Sequence, residues 1–136
     1  MIVVDTNIIG YLFLTGHRAM QVERVLQKDP QWAAPLLWRS ELRNVLAQYL
    51  RRHDLPLEDA QRIMEETARL MQGREFAVVS FQVLNLVAAS TCSAFDCEFV
   101  ALARELEVPL VTVDRQVLSQ FPSVAVSLDA FAGSLD

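Results

Sequence analysis

Two short apolar runs, each ending in an aspartate, constrain this chain more than any other feature. Ile2, Val3 and Val4 lead into Asp5, with Thr6 and Asn7 following. Leu110, Val111, Thr112 and Val113 lead into Asp114, with Arg115 following. A continuous apolar run of this length suits a strand buried on both faces, as in a parallel sheet covered by helices. In open α/β sheets the ligand crevice lies outside the carboxyl ends of the strands. Both aspartates therefore fall where such a fold does its chemistry.

Between these runs, helical and strand patterns alternate. Apolar spacing predicts helices over residues 8–14, 18–27, 37–52, 57–71, 80–89, 95–106 and 116–121. It predicts further strands over 32–34, 76–79 and 124–126. Met20, Val22, Val25 and Leu26 are expected to face inward from the second helix, which Asp29-Pro30 ends. Leu42, Val45, Leu46, Tyr49 and Leu50 follow the helical period in the third. Gly73 is expected at the C′ position of the fourth, and Ser80 is expected to cap the fifth. Only residues 53–56 join the third and fourth helices, which implies an antiparallel hairpin. Strands separated by helices imply βαβ units. The expected class is α/β, three-layer α/β/α, with a central, mainly parallel sheet of four to five strands. The chain has 136 residues, 52% of them apolar, and no repeat or linker-like stretch, which predicts one domain over 1–136.

The formal net charge of −5 argues against capture of nucleic acid by bulk charge, though not against a local basic groove. Eleven of the 12 basic residues are arginine, a usage that suits bidentate phosphate contacts and that genomic composition equally produces. Cys92 and Cys97 fit neither a zinc spacing nor a C-x-x-C pair and read as reduced thiols. The opening apolar run is too short for a signal peptide or a membrane span, so a soluble, cytoplasmic protein is expected.

Four acidic residues stand out. Asp5 and Asp114 end strands, where a turn or helix N-cap role competes with a functional one. Glu41 falls early in the third long helix on the border of its apolar stripe, beside Leu37, Trp38 and Val45. Asn44 and Gln48 share its side, and Arg39 and Arg43 point away. The structural alternative is a favourable charge near a helix N-terminus. Asp96 follows Ser93 by three residues, which resembles a capping box. It also shares a face with Val100 and Ala103, and a carboxylate on a buried face wants a cation. Glu98 lies on a more solvated face and is the weaker candidate. A cluster of four carboxylates without histidine or cysteine selects hard divalent ions, Mg²⁺ or Mn²⁺. Such ions bridge phosphate oxygens, which points to phosphodiester chemistry.

The segments VVDTN, SELRNVL, SAFDCEFVALAREL and VPLVTVDRQVL resemble, in order and spacing, the four acid-bearing segments of the PIN-domain ribonucleases. The likeness is strongest to the VapC-like toxins of toxin–antitoxin pairs and spans the whole chain. Phe95 and Cys97 are mild departures from the commonest residues of the third segment. The resemblance implies Mg²⁺ or Mn²⁺ held by Asp5, Glu41, Asp96 and Asp114, with supporting roles for Asn7 and for Thr6 or Thr112. Arg115 could contact a phosphate beside the site. It further implies an endoribonuclease acting on RNA, tRNA or rRNA being candidates, by in-line attack of a metal-activated water. A homodimer and a cognate antitoxin protein are implied partners. The antitoxin would lay a segment in an apolar groove and bring an Arg or Lys to the carboxylates.

Other classes fit less well. His17 and His53 lie in no acidic motif and read as surface or loop residues. A response-regulator receiver needs a lysine near its fourth or fifth strand, and Lys28 is the only lysine. A dinucleotide-binding fold needs G-x-G-x-x-G after the first strand, which is absent. A PIN-type RNA-processing nuclease and a non-catalytic RNA- or partner-binding relative remain as alternatives to the toxin.

Overall fold

The computed structural model describes residues 1–14 and 16–133. The described elements run β1 (Ile2–Val4), α1 (Thr6–Phe13), α2 (Ala19–Lys28), β2 (Trp32–Pro35), α3 (Trp38–Arg51) and α4 (Leu57–Leu70). They continue β3 (Glu75–Phe76), α5 (Ser80–Ala88), α6 (Ala94–Leu106), β4 (Leu110–Thr112), α7 (Arg115–Gln120), β5 (Ala125–Ser127) and α8 (Leu128–Ala132). The five strands form one sheet in the order β3-β2-β1-β4-β5, and every pairing is parallel. The architecture is three-layer α/β/α, as the alternation of elements implies.

Strand order explains the layering. From β1 the chain crosses to β2 and β3 on one side, then returns past β1 to β4 and β5. Right-handed crossovers in opposite directions put their helices on opposite faces. Accordingly α6 packs on β1, β2 and β4 with α5 against it, while α1 contacts β4, α2 and α3. Ile2, Val3, Val4, Leu110 and Val111 are at most 2% exposed, so the central strands are covered on both faces. The order reverses between the neighbours β1 and β4, and a crevice opens at such a switch point.

Several local expectations are corrected. α1 begins at Thr6 rather than residue 8, because Asp5 caps it: the Asp5 carboxylate accepts from the Ile8 backbone N–H at 3.1 Å. Met20 is 68% exposed, on the side of α2 away from buried Val22 and Val25. β3 covers only Glu75 and Phe76, since its neighbour β2 ends at Pro35 and leaves residues 77–79 nothing to pair with. Ser80 is the first residue of α5, not its cap; Val79 holds that position without a side-chain bond. Gly73 takes φ +81° two residues beyond the Met71 C-cap of α4, one place past C′. α8 was not expected; Ser127 caps it through the Ala130 N–H, and Leu128 and Ala132 bury one turn apart.

Candidate active site

The switch-point crevice is a cavity of about 210 Å³, and Asp5, Glu41, Asp96 and Asp114 all line it. Each arrives from a different element. Asp5 follows β1 and Asp114 follows β4, the two strands that meet at the reversal. Glu41 lies in the first turn of α3 and Asp96 in the first turn of α6.

The two strand-end aspartates both cap helices. One oxygen of Asp114 accepts from the Val117 N–H at 3.0 Å, opening α7, as Asp5 opens α1. The second oxygen of Asp5 accepts a hydrogen bond from the Thr112 hydroxyl. That hydroxyl also accepts from the Asp114 N–H at 3.0 Å, so buried Thr112 ties the ends of β1 and β4 together. Thr6, 6% exposed, donates its hydroxyl to Glu41 at 2.7 Å. Ser93 caps α6, its hydroxyl accepting from the Asp96 N–H at 3.1 Å.

Electrostatics close these four residues into a ring. Burial pushes the Asp5 carboxyl up to about 6, against the hydrogen bonds from Thr112 and Ile8, with Asp114 and Glu41 adding repulsion. Glu41 is raised first by burial and further by Asp96, with Thr6 opposing. Asp96 is raised by burial and by Asp114, with Ser93 opposing. Asp5, Glu41 and Asp96 thus each feel at least one neighbouring acid as a like charge. Among the described residues lining the cavity there is no Lys, Arg or His to neutralise them.

The remaining expected residues divide. Thr6, Asn7 and Thr112 line the cavity. Arg115 does not; it is the exposed first residue of α7. Asn44, one turn beyond Glu41 on the same side of α3, also lines it. Its place was readable from the i,i+3 spacing but carried no chemical signal of its own. Glu98 is half-buried, and its carboxyl is raised by burial and by Glu41, so its face of α6 is less solvated than its spacing suggests. His17 lines no part of this cavity, and His53 sits in the turn after α3 with φ 57°.

Oxygen donors alone, mutually repelling and without a cation, fit a hard divalent ion. Among the described residues no three acids are gathered closely enough to form a finished metal cage. A Mg²⁺-type site does not require one, because that ion keeps several waters and takes only one or two carboxylates.

The chain is similar along most of its length to known proteins. It is 27% identical over 126 residues to Ribonuclease VapC3 of Pyrobaculum aerophilum, covering 90% of this chain and 96% of that one. Its fold matches PAE2754 of Pyrobaculum aerophilum with a TM-score of 0.76 at 17% identity, over 96% of this chain and 92% of the other. It matches a toxin–antitoxin complex from Klebsiella pneumoniae with a TM-score of 0.71 at 20% identity, over 95% and 98%. The PIN domain pattern matches residues 2–124, a span that begins with β1 and includes all four acids of the cavity. An acid-lined switch point on a five-stranded parallel sheet, and a sequence pattern running through nearly all of it, have one explanation: the chain belongs to the PIN-domain family.

Proposed function

We propose that this chain is a divalent-metal-dependent endoribonuclease and the toxin of a toxin–antitoxin pair. The observation that carries the nuclease reading is the ring of four carboxylates in a cavity without a cation. The resemblance to a protein named as a ribonuclease supports RNA as substrate. When bound, Mg²⁺ or Mn²⁺ supplies an activated water for in-line attack and charge for the leaving 3′ oxygen. Asp5, Glu41, Asp96 and Asp114 are the residues that would hold it, one or two directly and the others through its waters. Thr112 and Thr6 each fix one carboxylate oxygen by donation, which orients Asp5 and Glu41. Capping does the same for Asp114 through the Val117 N–H. Asn7 adds an exposed amide at the cavity wall, and exposed Arg115 fits a phosphate contact from outside it.

The toxin reading draws on the solved toxin–antitoxin complex whose fold this chain shares. It assigns a cognate antitoxin, a cytoplasmic location and a homodimer. No helix among the described residues is long and apolar enough to cross a membrane. For the dimer, α5 presents Phe81 and Leu84 at 74% and 62% exposure, and Phe95 opens the neighbouring α6 at 59%.

The direct test is cleavage of structured RNAs by purified protein with Mg²⁺ or Mn²⁺, with EDTA, and with Asp5→Asn. Metal-dependent cleavage that the substitution lowers by orders of magnitude is expected. Cleavage surviving both EDTA and Asp5→Asn would end the assignment. Expression should arrest growth, the Asp96→Asn form should not, and co-expression of the adjacent gene should restore growth. Unimpaired growth with active protein would favour a processing nuclease.

A further inference from the structure

The loop between α5 and α6 is tied to α7 through Thr91, all of whose polar groups are engaged. Its N–H donates to Gln120 Oε1 at 2.7 Å, and its carbonyl accepts from Gln116 Nε2 at 2.8 Å. Its hydroxyl oxygen accepts from Gln116 Nε2 at 2.8 Å and from Gln120 Nε2. Gln116 and Gln120 stand one turn apart on one face of α7, so a single threonine docks across both. Among the described residues, every hydrogen bond between residues 89–93 and α7 runs through these two amides.

Thr91 lies two residues before Ser93, which caps α6, and Gln116 lies two residues after Asp114, which caps α7. These helix starts carry Asp96 and Asp114, which line the carboxylate cavity together. Burial, and then the charge of Asp114, raises the Asp96 carboxyl, so the pair repels. Repulsion drives the two helix starts apart. α7 has six residues, too few to hold its own helical form in water. Buried Val117 anchors it on one side, and the glutamines anchor it on another. Thr91 and Gln116 are exposed, and exposed neutral hydrogen bonds add little net stability. Four of them converging on one loop residue fix a position more than they hold the fold. Amides also do this without placing a cation beside the carboxylates, where it would compete with a metal ion.

We propose that Gln116 and Gln120 are positioning residues, which clamp the start of α6 to the start of α7 and so set the separation of Asp96 and Asp114. The consequence for metal rests on the nuclease reading above: a divalent ion meets these two carboxylates at a spacing already fixed. The test compares wild type with Gln116→Ala and Gln120→Ala combined, alanine being the best helix former. In EDTA, NMR follows the Asp96 N–H, which Ser93 caps and which lies on the other helix from the substitutions. Its signal should move and exchange faster in the double variant, while Val100 inside α6 keeps its protection. Mn²⁺ binding is followed through the EPR signal of the free ion. The double variant should bind about ten-fold more weakly, the low end for groups that orient metal ligands. Thr91→Ser keeps all three polar groups and should bind as wild type. Ile63→Val, a core change on α4 away from the cavity, should lose stability and bind as wild type. If the double variant does not fold, Thr91→Val, which removes only the hydroxyl, should show the same effects in smaller measure. An unmoved Asp96 amide in the folded variant overturns the proposal. So does unchanged Mn²⁺ affinity, and so does an equal loss of affinity in Ile63→Val, which would make the effect one of stability alone. A wild type that binds no Mn²⁺, with an Asp96 amide that still moves in the variant, removes the metal reading and leaves the clamp.

Discussion

At Asp5 and Asp114 capping a helix and lining the cavity do not exclude one another, because a carboxylate has two oxygens. One oxygen closes a helix, while the residue still lines the cavity. Burial raises the Asp5 carboxyl from 3.8 to about 6, against the hydrogen bonds from Thr112 and Ile8. An acid with a raised folded-state pKa holds its proton more tightly when folded. Its contribution is therefore full below about pH 3.8 and is lost as the pH climbs through about 6, a change of about 3 kcal/mol. Asn caps a helix as well as Asp does. Asp5→Asn should thus stabilise the metal-free protein at pH 7.5, match wild type at pH 3.5, and abolish stabilisation by Mn²⁺. Urea melts at the two pH values in EDTA check the first two; equal stability at pH 7.5 would mean the carboxylate is not under strain. Thr6→Val removes the donor to Glu41 at 2.7 Å. Hydrogen bonds to charged groups contribute about 1.5–3 kcal/mol, so the loss of divalent-ion affinity should be at least ten-fold by calorimetric titration. The four acids were legible from sequence because Asp5 and Asp114 end apolar strands and Glu41 and Asp96 fall at the apolar face of their helices. The partial burial of Glu98 was not, because it depends on what packs over that face of α6.

At the scale of the element, α6 poses the question most sharply. Ser93 caps it, and Asp96 sits in its first turn, where a negative charge gains about 0.3–1 kcal/mol from the helix dipole. Burial and Asp114 act against that gain, and the upward direction of the Asp96 pKa says they prevail. Ser93→Ala should therefore cost about 1 kcal/mol with or without metal. Asp96→Asn should leave metal-free stability unchanged or raised, and should reduce the gain from Mn²⁺, which for wild type is about 2.7 kcal/mol at a hundred times Kd. Melts in EDTA and in Mn²⁺ separate the two; a metal-independent loss of 0.5–1 kcal/mol on Asp96→Asn would return it to a capping role. The same element shows why helices were legible and the extent of β3 was not. Helix period and caps are local, as Ser93 three residues before Asp96 illustrates. A strand's length is set by its neighbour, and β2 stops at Pro35. α8 was legible in principle, from Ser127 followed by apolar Leu128 and Ala132, but so short a period carries little weight beside a preceding strand.

The whole molecule is organised by the reversal of strand order between β1 and β4, which collects residues from positions 5 to 114 in one crevice. That gathering was readable from two apolar runs ending in aspartate, since a parallel sheet leaves few other places for them. Association was not readable in the same way. Phe81 and Leu84 sit three residues apart on α5, a spacing that reads as a core stripe, yet buried Val83 and Leu86 take the core and leave both in solvent. Exposed aromatic and aliphatic side chains grouped on one helix are costly in water and typical of the buried centre of an interface. The proposed homodimer places them there. Light scattering should give a mass twice the 15.3 kDa of the chain. Phe81→Glu with Leu84→Glu should give a monomer whose thermal midpoint, extrapolated to low concentration, matches that of wild type, because neither side chain is part of the core. A monomeric wild type would remove the dimer, and a double variant that still dimerises would move the interface to another face.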